Sequence, residues 1–251
     1  MQTGAITGYI DVAQIALYVF WIFFAGLIYY LQREMKREGY PLESDRSAHI
    51  TVQGWPSIPS PKTFKLADGS TVSVPNARRD NQPPLHAGAW RGEPLSPTGN
   101  PLLAGVGPGA WADRADVPDK TVEGTPRLVP LRAVPDFGVA HQDVDPRGLP
   151  VLGDDGARGG QVVDLWVDRA EMLFRYLEVE TTGGRHVLLP MNFARVQQRA
   201  VRVRSILGAH FAEVPGTRSP DVVTMLEEEK IMAYYGAGTL YATPDRQEPL
   251  L

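Results

Sequence analysis

The sequence predicts one membrane-spanning α-helix followed by a mainly-β domain covered by a single late helix. Three observations carry this expectation. Residues 12–31 contain no charged side chain. Residues 41–150 hold 17 of the 22 prolines, which removes most of that stretch from helix. From Gln161 onward, apolar and polar residues alternate in short runs separated by turn residues.

The span comes first. Val12 to Leu31 reads VAQIALYVFWIFFAGLIYYL, with Gln14 its strongly polar member. Twenty residues at ~1.5 Å rise give ~30 Å, the thickness of a bilayer's hydrocarbon core. A core helix would carry a polar stripe, and this one has none. A signal peptide would start basic and end in a small-residue cleavage site. Residues 1–11 hold no Lys or Arg, and the exit is Tyr29-Tyr30-Leu31-Gln32. Only Asp11 precedes the span, whereas Arg33, Lys36 and Arg37 follow it. The positive-inside rule then puts residues 1–11 in the periplasm and everything after Leu31 in the cytoplasm. Tyr29 and Tyr30 suit an interfacial belt; Trp21 falls mid-membrane.

Residues 32–110 read as an extended, Pro-rich segment. Trp55 to Pro61 cannot be helical. Thr63–Leu66 and Thr71–Val74 flank Ala67-Asp68-Gly69-Ser70, a hairpin with an Asp-Gly turn. Asn76 to Pro150 shows little periodicity, so it is either linker or irregular chain lying on another protein. Trp55, Phe64, Trp90, Leu102, Leu103, Trp111 and Phe137 favour the second reading, since linkers are poor in large apolar groups.

Residues 111–251 hold the β-domain. Gln161–Val167, Phe174–Glu180, His186–Met191 and Ala200–Arg204 are its strand candidates. Thr181 to Arg185 is a turn. Ser219-Pro220 predicts a helix N-cap and first turn, with the helix stopping at Gly236.

Composition excludes much chemistry. The chain has 251 residues, a net charge of −4 and no cysteine. Thiolate metal sites, disulfides and cysteine nucleophiles are excluded. A dedicated nucleic-acid binder would be basic. Gly105-x-Gly107-x-Gly109 follows no strand, so these read as turn glycines rather than a dinucleotide loop. The five histidines show no metal-ligand spacing, and no nucleophile motif is present. Asp164, Asp168 and Glu171 surround a strand end ahead of Arg175. Asp164 and Asp168 share a strand face. Grouped carboxylates raise one another's pKa and can pass protons, although a solvated strand end with ordinary ion pairs fits the same pattern. Glu227-Glu228-Glu229-Lys230 reads as the solvated face of the last helix.

These residues together resemble the H subunit of the purple-bacterial photosynthetic reaction centre. The likeness rests on Phe20-Trp21-Ile22-Phe23 and Ala25 to Gln32 in the span. It continues in Arg37-Glu38-Gly39-Tyr40-Pro41-Leu42-Glu43, Pro61-Lys62-Thr63-Phe64 and Gly105-Val106-Gly107-Pro108. It returns in Val162-Val163-Asp164, Trp166-Val167-Asp168, Leu177-Glu178-Val179-Glu180 and Leu226-Glu227-Glu228. The resemblance implies a cytoplasmic PRC-barrel-like core in a single-pass protein of the bacterial photosynthetic inner membrane. It implies a non-catalytic subunit that caps the L and M subunits, stabilises the quinone sites and conducts protons to the secondary quinone. Bacteriochlorophyll, bacteriopheophytin, quinones, non-haem iron and carotenoid are then expected in the partner subunits and none on this chain. Further partners the family admits are a cytochrome subunit, a light-harvesting ring and lipids. By the same resemblance Asp168 is an outer proton relay, Glu171 an inner one, and Arg175 tunes them, with Asp164 beside them. Relatives with a surface histidine pair align it near Glu123 and Thr125, and neither is histidine here. The runner-up is a membrane-tethered PRC-barrel adaptor for another assembly. A membrane-anchored enzyme would need a catalytic motif that the sequence does not show.

Overall fold

The computed structural model describes residues 4–7, 10–40, 54–66, 69–76, 85–86 and 96–247. Trp90, His49 and the motif residues Pro41-Leu42-Glu43 lie outside the described residues, as do Ala67 and Asp68 of the expected hairpin turn. Two compact units divide after Arg79.

In the first unit, helix α1 covers Val12–Arg37. Its N-terminus explains the one polar residue of the span. The Asp11 carboxylate accepts from the Gln14 backbone N–H at 2.7 Å, and the Gln14 side chain accepts in return from the Asp11 N–H. That reciprocal pair satisfies two donors the helix start leaves unmatched. Apolar side chains around α1 are exposed on every side; Ile22 is 75% and Phe23 62% exposed. The helix continues past the apolar stretch to a basic last turn. There the Lys36 ammonium donates to the Gly54 and Pro56 carbonyls, and the Arg37 guanidinium to those of Ser60 and Val74. Both side chains are buried. Extended Pro-rich chain has no ladder partner for its carbonyls, and these two cations supply one. Strands β1 (Lys62–Lys65) and β2 (Thr71–Val74) pair antiparallel, Lys62 opposite Val74, as the sequence predicts. Gly69 takes the turn at φ 84°.

The second unit opens with two short strands, β3 (Leu85–His86) and β4 (Ser96–Pro97). Its main sheet contains β5 (Leu128–Pro130), β6 (Pro150–Leu152), β7 (Arg158–Asp168), β8 (Leu173–Thr181), β9 (His186–Pro190), β10 (Ala194–Val196) and β11 (Val201–Val203). The order is β10-β11-β6-β7-β8-β9, with β5 pairing the far end of β7. Only β11–β6 is parallel. The sheet curls over a core of Trp166, Tyr176, Leu177, Leu189, Ile206 and Phe211, each at most 1% exposed. Each such side chain contributes about 2–3 kcal/mol by leaving water.

Helix α2 (Met225–Tyr241) covers the core with Ile231, Tyr234 and Tyr235. Both expected ends are corrected. Thr224, not Ser219, is the N-cap: its hydroxyl accepts from the Glu227 N–H, and Glu227 accepts from the Thr224 N–H. Pro220 and Asp221 are instead occupied by Arg132. The helix also runs through Gly236. A Cβ there would lie 2.4 Å from the Pro108 carbonyl oxygen, and one at Gly238 would lie 2.3 Å from that of Ser205. These glycines let backbone approach the helix rather than end it. Gly238→Ala is therefore expected to destabilise the protein, although Ala is the better helix former by about 1 kcal/mol. Thermal unfolding checks the sign; a stabilised variant would mean that the close approach is not required.

The irregular stretch before β5 has its own reason for order. Leu102 is buried in the core of this unit, and Gly107–Gly109 form a short 3₁₀ turn against α2. Gly105 and Gly107 sit at positive φ, as turn glycines should, and Gly109 packs on Ala237. Phe137 packs on the same core, whereas Leu103 stays 52% exposed. Trp55, in the first unit, is 82% exposed.

Candidate functional site

Strand β7 ends at Asp168, and the turn into β8 folds around that carboxylate. The backbone N–H groups of Ala170 and Glu171 both donate to Asp168 Oδ1 at 3.0 Å. Arg127, just before β5, donates from Nε to both carboxylate oxygens at 2.9 Å. The same guanidinium holds Glu171 and reaches Asp119 at 3.4 Å. Arg175 approaches Asp168 Oδ2 at 3.3 Å. Its position follows from register: Trp166 faces Tyr176 and Val167 faces Phe174, so Arg175 is the extra residue of a bulge. From there its other nitrogen lies 3.6 Å from Glu228 on α2. Tyr176 completes the group by donating to Glu228 at 2.9 Å.

The structure thus brings Asp168, Glu171 and Arg175 together. It does not bring Asp164 with them. Four residues of strand separate the two aspartates by about 13 Å. Asp164 instead meets Arg132 at 2.9 Å, and Arg132 meets Glu178 at 2.6 Å and Asp221 at 2.8 Å. Trp166 donates its indole N–H to Glu178, and His186 Nδ1 shares a 2.7 Å hydrogen bond with the same carboxylate. A cavity of about 620 Å³ opens beside this second group, lined in part by Phe137, Arg147 and Val163.

The electrostatics also differ from the sequence expectation that grouped carboxylates raise one another. Burial pushes the Asp168 pKa up, but hydrogen bonds from Arg127 and the Glu171 and Ala170 backbone outweigh it. The carboxyl is held below its ordinary value. Glu178 is likewise held low: burial raises it, and Arg132, His186 and Trp166 more than compensate. Glu228 goes the other way. Burial raises its pKa more than Tyr176 and Arg175 lower it. It was expected on the solvated face of the helix, yet its side chain is only 14% exposed. Tyr176, fully covered and facing that carboxylate, keeps its proton well above the usual phenol range.

Glu228 therefore carries a distinct pH signature. A carboxyl whose folded pKa is raised favours folding while protonated, and that contribution fades as pH rises through the folded value. Glu228→Gln is expected to match the parent in acid and to gain stability relative to it towards neutral pH. Melting temperatures of the two proteins across pH ~4 to ~8 read this directly. A gap that widens in acid instead would contradict it.

Arg127, Arg132, Tyr176 and Glu178 escaped the sequence reading. The signal available was an apolar strand, β7 or β8, interrupted by an inward charge, which demands a partner from elsewhere. Glu123 and Thr125, where the relatives' surface histidines align, sit on an exposed turn closed by the Thr121 and Thr125 hydroxyls at 3.0 Å. Thr125 accepts from Arg169, and the chain leads directly to Arg127. Among the described residues no three His, Asp or Glu side chains converge as a metal site.

Comparison with known families supplies the frame for this geometry. Residues 4–133 match the family model described as the photosynthetic reaction centre H-chain N-terminal region. Residues 139–209 match the PRC-barrel domain, and these include β6 to β11. The first match alone spans more than half of the chain and includes α1, the hairpin and Arg127. With one helix among the described residues apolar enough to cross a bilayer and a PRC-barrel later in the sequence, this chain belongs to the photosynthetic reaction centre H-chain family and is a membrane-anchored reaction-centre subunit.

Proposed function

We propose that the chain caps the L and M subunits on the cytoplasmic side, supports the quinone sites and delivers protons towards the secondary quinone. On this reading residues 1–11 are periplasmic and the β-domain is cytoplasmic. Pigments, quinones and iron belong to the partner subunits, and the chain itself catalyses no reaction. The observation that carries the reading is the Asp168–Arg127–Glu171 group, with Arg175 and Glu228 behind it, in a chain of this family.

Reducing a quinone to a quinol takes two electrons and two protons. A quinone site shielded from bulk water needs a route for those protons. Here Asp168, held ionised by Arg127, is a fixed negative charge that draws protons in. Glu171, on the exposed lip of the turn at 54% exposure, takes up and releases them, so it is the outer member and Asp168, at 2% exposure, the inner one, the reverse of the order the resemblance implies. Arg175 keeps the group from becoming too negative to release a proton inward. Glu228, half-buried and raised, holds a proton more readily than an exposed carboxyl would.

The assignment to a pigment-bearing complex is tested by tagging the chain and purifying it from mildly solubilised native membranes. Bacteriochlorophyll and bacteriopheophytin absorbance in stoichiometric amount with the chain is expected. A colourless eluate from cells that make the photosystem would sink the assignment and leave a tethered adaptor.

A further inference from the structure

The far side of the sheet from Asp168 carries charge that the proton-relay reading does not use. In Val201-Arg202-Val203-Arg204 the valines are fully buried, so both arginines face the other way and are exposed. Arg202 lies directly opposite Arg195 in the β10–β11 ladder. Like charges at directly opposed positions destabilise an antiparallel pair. Among the described residues no carboxylate pairs with Arg195, Arg202 or Arg204. The nearby Asp154 is taken by Arg246 at 2.8 Å. Arg246 is itself spent on the carbonyls of Ser205, Gly238 and Arg204.

These arginines do not project from a flat surface. Arg195, Arg202, Arg204 and Asn192 line one pocket of about 720 Å³, together with the mutually paired Asp154 and Arg246. Guanidinium groups match phosphate oxygens with paired parallel hydrogen bonds, which carboxamides and single ammonium groups cannot do. Three uncompensated guanidiniums suit a compact anion carrying more than one charge.

We propose that this pocket is a binding site for a phosphate-bearing polyanion, seated across the opposed Arg195 and Arg202 with Arg204 beside them. The anion supplies the counter-charge that the β10–β11 ladder lacks. Two sources share that chemistry: a soluble di- or polyphosphate, and the phosphate of a lipid headgroup. The site does not depend on the proton-relay assignment, because it uses no residue of that group.

The test uses the full chain within its detergent-solubilised complex and inorganic pyrophosphate as probe, titrated by calorimetry at near-physiological salt. One saturable site per chain is expected, weakened tenfold or more by Arg202→Gln and separately by Arg195→Gln. Arg199→Gln, in the exposed turn between the strands, leaves it unchanged. Pyrophosphate is also expected to raise the melting temperature of the parent and not of Arg202→Gln, since a ligand stabilises only a protein that binds it. In a second arm the complex is mixed with phosphatidylglycerol vesicles. Vesicle binding displaced by pyrophosphate identifies the headgroup as the source, and pyrophosphate binding without vesicle binding identifies a soluble phosphate. Failure of both probes to bind, or binding that survives both substitutions, overturns the proposal.

Discussion

Glu171→Gln is expected to slow the proton-coupled second electron transfer to the secondary quinone by about tenfold or more, the scale on which a positioned acid–base group acts. The slowing should grow with pH, as solution protons become scarcer. The substitution is structurally mild, because the Glu171 side chain is half exposed and the backbone N–H that it donates to Asp168 is kept. Its melting temperature should stay close to that of the parent. Asp168→Asn is a different experiment. Asp168 anchors Arg127 and the 168–172 turn, where Met172 takes φ 56°. Removing its charge is expected to impair transfer and also to cost about 1–3 kcal/mol, the range for a buried hydrogen-bonding group left unmatched, since Arg127 is partly exposed and keeps Glu171 and Asp119. Flash-induced kinetics from pH ~5 to ~9 on both single variants and the double variant separate the two effects. If the Asp168→Asn, Glu171→Gln double variant transfers the second electron at the parental rate at every pH, the relay assignment is wrong.

Arg132→Met is expected to be the most damaging single change to stability. Arg132 is the cation shared by Asp164 and Glu178, both nearly buried, and it also ties down Pro220 and Asp221. Breaking a buried pair by removing one partner typically costs about 3–5 kcal/mol. Arg132 itself is 41% exposed, so water screens part of the interaction and about 2–3 kcal/mol is the better expectation. The pH dependence should invert as well. In the parent, the Glu178 pKa is lowered, so its contribution is present above the ordinary value of 4.5 and is lost as pH falls through the folded value. Without Arg132, burial acts with less opposition, and acidification should relieve the loss rather than add to it. Chemical unfolding of the two proteins at pH ~4 and ~7 reads both signs. A variant equally destabilised at both would show that Arg132 acts through packing alone.

What could be read beforehand depended on whether the information was local. The span, the β1–β2 hairpin and strands β7 to β9 follow from periodicity within a few residues, and they lie where the sequence predicts them. The ends of α2 did not follow from such rules. Ser219-Pro220 is a good local helix start, yet Thr224 with Glu227 satisfies more backbone donors. Gly236 is a good local stop, yet the approach of Pro108 requires glycine inside the helix. The group around Asp168 shows the same limit. Asp168, Glu171 and Arg175 are near one another in sequence. Arg127 comes from some 40 residues upstream, and Glu228 from a helix more than 50 residues downstream. A bulge that turns Arg175 towards both cannot be read from the alternation of β8, because it breaks that alternation.

The last turn of α1 sets how the anchor can respond to lipid. Lys36 and Arg37 are fastened to four carbonyls of the chain that follows, so the lower end of the helix has little freedom to fray or lengthen. The upper end is closed by the Asp11–Gln14 pair. A helix of fixed length meets a thinner or thicker bilayer by changing its tilt or by deforming the lipid around it. In membranes of graded acyl-chain length, α1 is therefore a rigid rod. Its inclination, rather than its helical content, reports hydrophobic mismatch.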